Sequence, residues 1–447
     1  MLTIDDYKAK LVTADEAVKV IKSGDLIHYG QFAGVIHDLD IALAKRAEEL
    51  HDVRIINAIW PYKNKPAVVQ ADPEGQHFKW QSTQFSGVER HLNQEGLCWY
   101  IPVQFREQPV YYERDIKPDV AMLQVTPMDK FGYFNFGPQV SDSQSIIANS
   151  KKVIVEVNEN MPKCYGIGNT VHISDVDYIV HGSNPELAEL IAKDANEVDK
   201  KIAEFIVERI NNQSTLQLGI GGLPNYCGKL IAESDLKDLS VHSEMFPDAC
   251  LNLYEAGKIT GNKNLNKGKM VWTFAMGSQR VYDFVDNNPV HLACPVDYVN
   301  GIHTIAAIDN FVSVCSCLEV DLFGQVNSES VGLQHIGGNG GQLDFVLGSY
   351  LSKGGQSFLC TPSVHVDRKG NRSSMIKPTL PEGSIVTIPR QVTQYVVTEY
   401  GVANMKGKST WERAEALINI AHPDFKDELV KGAERMGIWK NSSKVMK

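Results

Sequence analysis

The chain has 447 residues, 43% hydrophobic and 22% charged, with a formal net charge of -10 at pH 7. That length exceeds a single ordinary core, so two or three domains are expected. The acidic balance, with no long cluster of Lys and Arg, excludes a basic nucleic-acid footprint, and no apolar stretch approaches the roughly eighteen residues of a membrane span.

The N-terminus, MLTIDDYKAK, lacks the basic-then-apolar layout of a secretory leader. Eight cysteines in a chain this long do not make a disulfide framework. Cys315 and Cys317 form C-x-C inside the apolar run FVSVCSCLEV, which reads as buried strand thiols and not as a metal site. No C-x-x-C or H-E-x-x-H occurs, so no metal is expected and a reducing cytoplasm is the expected location.

Short apolar runs alternate with amphipathic helical patterns, which predicts an α/β fold with mainly parallel sheets. The first strand is DLIHYG from Asp25, and a later one is VAMLQV, followed by Asp129-Lys130-Phe131-Gly132-Tyr133-Phe134-Asn135. A helix carries Val198, Ile202, Phe205, Ile206 and Ile210 at helical spacing. It ends at Asn211-Asn212-Gln213-Ser214, a turn-rich cluster that predicts a domain boundary.

The second half repeats the first. D-x-F-G-x-x-N recurs as Asp321-Leu322-Phe323-Gly324-Gln325-Val326-Asn327, again after an apolar strand. TLQLG from Thr215 matches DLIHYG, and VTQYVV from Val392 matches DVDYIV from Asp175 with an insertion between. Three matches in one order predict two similar open α/β domains, an internal duplication, spanning residues 1–212 and 213–447.

That second half opens on a strand (215–218), a glycine loop (219–222) and a helix beginning near Pro224. A second strand, Leu239 to His242, leads into Ser243-Glu244-Met245-Phe246-Pro247-Asp248. Parallel strands in such a unit end at one sheet edge, where open α/β proteins bind ligands. The loop and Glu244 are therefore expected to be neighbours, as a carboxylate nucleophile beside backbone N–H donors. The loop is no phosphate-binding P-loop, since no Gly-Lys-Ser/Thr follows, and GIGGLP is a poor dinucleotide fingerprint. A plain tight turn stays open. A further cluster, Gly337-Gly338-Asn339-Gly340-Gly341, reads as close approach by a ligand or as a surface hairpin. His242 reads as structural, because carboxylate attack on a thioester removes no proton. Met276-Gly277-Ser278 is expected to end a strand beginning near Met270, and the Arg413 helix reads as structural.

Together the segments LGIGGLP, HSEMFPD, GKMVWTFAMGSQRVYDFVDNNP, PVDYVN, EVDLFGQVNSES, GGNGGQLDF, VVTEYGVA and RAEALINIAHPDF carry a resemblance. The chain resembles the acyl-CoA:carboxylate CoA-transferases, on the branch of 4-hydroxybutyrate and butyryl-CoA:acetate CoA-transferases, which includes acetyl-CoA hydrolase-like members. The resemblance implies a CoA-transferase fold, Glu244 as nucleophile, and a CoA-binding loop at Gly219, Ile220, Gly221, Gly222 and Leu223. It carries further CoA contacts to Leu318 and Gly341, and places Asn300 and Glu399 in segments lining related sites. Gly337 and Asn339 depart from the branch's usual S-G-x-G-G-Q, which bears on acyl specificity.

The resemblance also implies ping-pong transfer through a glutamyl-CoA thioester, with acyl-CoA as substrate, no permanently bound cofactor, and a homo-oligomer. Met245 and Phe246 beside Glu244 point to a short-chain monocarboxylate. Two rivals remain: an acyl-CoA hydrolase using the same glutamate, and a noncatalytic CoA-binding protein.

Overall fold

Residues 4–439 are described by the computed structural model. Residues 1–3, at the start of the segment read as leader-free, and residues 440–447, at the end of the expected second domain, lie outside the described residues. The chain forms two compact units.

The first unit is built on a seven-stranded sheet. Its strands are β1 (Leu26–Gln31), β2 (Val53–Ala58), β3 (Phe78–Ser82), β4 (Cys98–Tyr100), β5 (Val120–Val125), β6 (Lys152–Val157) and β7 (Tyr178–His181), in the order β4-β3-β2-β1-β5-β6-β7. Every pairing is parallel. β1 and β5 are buried along their whole length, as both-face coverage requires. Helix α1 (Gln108–Arg114) packs on helix α2 (Ser143–Asn149), which links β5 to β6.

In the second unit, helix α3 (Glu197–Val207) precedes β8 (Thr215–Leu218), helix α4 (Gly222–Glu233) and β9 (Ser240–Val241). Then come β10 (Phe311–Ser316), helix α5 (Gln342–Leu351), β11 (Gln356–Cys360), β12 (Tyr395–Thr398) and β13 (Gly401–Asn404). The sheet order is β9-β8-β10-β11-β12-β13, parallel except for the last edge strand. α3 is closed by a capping box in which Asn196 accepts from the Asp199 amide at 2.9 Å and Asp199 accepts from the Asn196 amide at 3.1 Å. It buries Ile202, Ala203 and Ile206 at helical spacing and packs on α4.

The strand orders β2-β1-β5-β6-β7 and β9-β8-β10-β11-β12 are the same arrangement, so the duplication extends to topology. The two D-x-F-G turns also match in detail. Asp129 Oδ1 accepts from the amides of Phe131 and Tyr133, and Asp321 Oδ1 from those of Phe323 and Gln325. Gly132 and Gly324 both sit at φ +88°. Tyr178 and Tyr395, matched in sequence, each open the corresponding strand.

The units do not part at 212/213. The first comprises the chain to Ile191 together with Glu244–Phe246 and Met270–Val299, and the second holds the rest. α3 falls with the second unit because it lies on α4, and Gln356 donates to the Arg209 carbonyl beyond it. Residues 270–299 fall with the first because their backbone bonds to it: Val140 N to Thr273 O, Ala275 N to Pro138 O, Ile167 N to Ala293 O and Val296 N to Ser141 O. The strand expected from Met270 is broken at Thr273. Met270–Trp272 pairs with His291–Ala293, whereas Phe274–Ala275 pairs with Met245–Phe246.

Candidate active site

In the second unit the strand order reverses between β8 and β10: β8 leads through α4 to β9 on one side, and β10 leads through α5 to β11 on the other. Such a reversal leaves a crevice at the strands' carboxyl ends. The expected CoA contacts of this unit gather there. Gly219 to Gly221 join β8 to α4, Leu318 lies just past β10, and Gly341 is the N-cap of α5. Gln342 donates to the Ser316 carbonyl at 2.8 Å, tying the start of α5 to the end of β10. Both helices begin at this edge, the arrangement that favours anions such as phosphate.

The glycines have different reasons. Gly221 caps α4 with φ +136°, which an L-residue rarely adopts. At Gly222 a Cβ would meet Asp199 Oδ2 at 2.9 Å and Ala195 Cα at 3.0 Å, so the first turn of α3 and the chain just before it crowd this position. At Gly219 a Cβ would meet nothing within 4 Å. The helix begins at Gly222 with Pro224 in its first turn, close to the expectation.

Ser243 is fully buried and donates to the Leu218 carbonyl at 3.3 Å. His242 is also fully buried, its ring edge-on to Phe311 at 5.7 Å, in keeping with a structural role. The Glu399 carboxylate accepts from the Ser363 amide at 2.9 Å and from its hydroxyl at 2.5 Å, so it braces the turn after β11. Asn300 is fully buried in this unit.

Glu244 is counted with the first unit. It is half-buried, and its carbonyl accepts from the amides of Thr273 at 3.0 Å and Phe274 at 3.2 Å. The next two residues form a parallel bridge, Met245 to Phe274 and Phe246 to Ala275. Phe246 is fully buried among Trp272, Phe284 and His291. Phe246 is therefore part of the core.

On the far side of this ribbon, Gln139 pairs antiparallel with Phe274, and the Phe274 ring stacks on Phe32 at 3.8 Å and 7°. Phe105 adds a tilted contact to Phe32 and an edge-on contact to Phe274. None of Gln31, Phe32, Gln139, Asp142 or Thr273 stood out in the sequence. Their one indirect signal was the repeat, which places residues 136–142 just past a D-x-F-G turn at a sheet edge.

Residues 3–189 match the acetyl-CoA hydrolase/transferase N-terminal domain and residues 277–433 match the acetyl-CoA hydrolase/transferase C-terminal domain. A butyryl-CoA:acetate CoA-transferase of Anaerostipes caccae is 50% identical over 446 residues, covering 98% of this chain and 99% of that one. The chain belongs to the acetyl-CoA hydrolase/transferase family. Within the family it is an enzyme of CoA-transferase type. Two solved family structures are similar throughout. RipA of Yersinia pestis is 36% identical with a TM-score of 0.90, over 98% of this chain and 100% of that one. A 4-hydroxybutyrate CoA-transferase of Porphyromonas gingivalis is 31% identical with a TM-score of 0.79, over 97% and 99%. Among the described residues no helix is long and apolar enough to cross a membrane.

Proposed function

We propose that this enzyme moves CoA between short-chain acyl-CoA and carboxylate by a ping-pong route through Glu244. The observation that carries the CoA assignment is the β8–β10 reversal, where the start of the glycine loop lies open and two helix N-termini meet one edge. The likeness to a butyryl-CoA:acetate CoA-transferase along nearly the whole chain supports acetate and butyrate as the carboxylates, with or without a 4-hydroxyl.

The Glu244 carboxylate attacks the thioester carbonyl, giving a mixed anhydride and CoA thiolate. The thiolate attacks the glutamyl carbonyl, releasing the first carboxylate and leaving a glutamyl-CoA thioester. An incoming carboxylate attacks that thioester, forming a second anhydride and freeing thiolate. The thiolate then takes the new acyl group, which restores Glu244. Each step passes through an oxyanion, which backbone N–H donors can stabilise, each worth about 3–4 kcal/mol in comparable sites.

The deciding experiment supplies acetyl-CoA or butyryl-CoA with a panel of carboxylates and follows both new acyl-CoA and free CoA. Parallel-line kinetics with new acyl-CoA supports transfer. Equal release of free CoA with and without acceptor, and no new acyl-CoA, gives the hydrolase reading instead. Binding without either product gives the noncatalytic one.

A further inference from the structure

The two units repeat one strand order, yet they differ where that order reverses. In the second unit this place is lined by glycines. In the first, between β1 and β5, the corresponding positions carry side chains: Gln31 and Phe32 at the end of β1, and Asp142 as the N-cap of α2. Gln31 is fully buried, and its Nε2 donates to Asp142 Oδ2 at 3.1 Å and to Gln108 Oε1 on α1 at 3.0 Å.

That bond joins the neighbours of two left-handed non-glycine residues, Phe32 at φ +50° and Ser141 at φ +36°. Such conformations cost about 1–3 kcal/mol each and persist only where the surroundings hold them. Both strained residues bear on Thr273-Phe274. The Phe32 ring stacks on Phe274, and the amides of Val140 and Ser141 both donate to Thr273 O at 3.1 Å. Thr273 and Phe274 are the residues whose amides hold the Glu244 carbonyl.

We propose that Asp142 is a positioning residue for Glu244: its hydrogen bond with Gln31 clamps two strained turns and thereby sets the Thr273-Phe274 ribbon that holds the Glu244 backbone. This rests on the reading of Glu244 as nucleophile. The duplicated crevice has thus become, in the first unit, a filled support.

The clamp is sensitive to charge. Burial pushes the Asp142 carboxyl up to about 7. The groups facing it from α1 are Gln108 and Tyr112, and the Tyr112 hydroxyl bonds His28 Nε2 of β1 at 2.9 Å. Burial raises Tyr112 well above its ordinary value and holds His28 down at about 3, so both are neutral near pH 7. Arg106, just before α1, pairs with Glu107 at 3.1 Å, and Asp297 near the ribbon is exposed. No cation pairs with Asp142 among the described residues. Above neutrality the clamp would therefore hold a buried, poorly matched negative charge.

The test measures transfer from acetyl-CoA to butyrate between about pH 5.5 and 8.5 for wild type, Asp142→Asn and Asp142→Ala, with borohydride trapping on each. Wild-type kcat should fall above about pH 7. Asp142→Asn imitates the neutral acid and should lack that limb, so its kcat relative to wild type rises roughly fivefold or more across the range. Asp142→Ala should lower kcat about tenfold or more with little change in KM for acyl-CoA. If the Asp142→Asn profile superimposes on wild type while the trap labels Glu244, the positioning role is overturned and the nucleophile stands. A trap that labels another residue overturns both.

Discussion

Ser243 donates its hydroxyl to the Leu218 carbonyl at 3.3 Å, so the residue before Glu244 is fastened to the residue before the glycine loop. The bond bridges the ends of β9 and β8, already paired in parallel through Leu216 and Val241. A strand–helix–strand connection thus brings two segments far apart in sequence to one sheet edge.

Replacing Glu244 with Ala should abolish transfer, by about 1000-fold or more in kcat/KM, since no other route to a covalent CoA intermediate is assigned. The fold should persist, because alanine keeps the backbone carbonyl that accepts from the Thr273 and Phe274 amides. Borohydride applied with acyl-CoA should reduce a glutamyl thioester at this residue in the wild type, as peptide mapping will show. A modified peptide from elsewhere in the chain refutes the assignment.

Gly219→Val offers a clean probe of CoA approach. Its Cβ would enter open space, so the folded protein should tolerate it. Approach of the CoA thioester to the loop backbone would be blocked, and kcat/KM for acyl-CoA should fall roughly tenfold or more at unchanged melting temperature. Unchanged kinetics would make the start of this loop an ordinary turn.

Gly221→Ala should behave differently. At φ +136° a side chain is strained whatever the space around it, with a cost of about 1–3 kcal/mol. Thermal unfolding should show a lower midpoint than Gly219→Ala. Equal midpoints for the two variants count against this backbone strain.

Lys263 supplies a pH prediction independent of catalysis. It is 5% exposed, donates Nζ to the Lys269 carbonyl, and burial lowers its pKa from 10.5 to about 8. The unfolded chain therefore holds more protons between about pH 8 and 10.5, and stability should rise with pH across that window, by on the order of 3 kcal/mol in full. Lys263→Met should flatten the rise and stabilise the protein at pH 7. An identical pH dependence in both proteins rules this out.

Much of the fold was legible along the chain. Parallel strands buried on both faces leave near-continuous apolar runs, as in VAMLQV and FVSV, and the D-x-F-G turns are local hydrogen-bonded units that write themselves into five residues. The match of Tyr178 with Tyr395 survived an insertion because each opens a buried strand. The division into units was not legible. Met245–Phe246 and Phe274–Ala275 are strands of two residues, too short to leave a periodic signal, and their partners lie far away in sequence.

The amino-acid sequence alone determined the repeated α/β pattern, the glycine loop and the carboxylate that follows the second short strand, because each is encoded within a few consecutive residues. Tertiary structure decided which unit claims Glu244, why Gly222 must lack a side chain, and that Gln31 and Asp142 meet across a buried switch point. Those outcomes depend on backbone hydrogen bonds and close approaches between segments up to hundreds of residues apart. Such energies belong to pairs of positions, and no local stretch of sequence carries them.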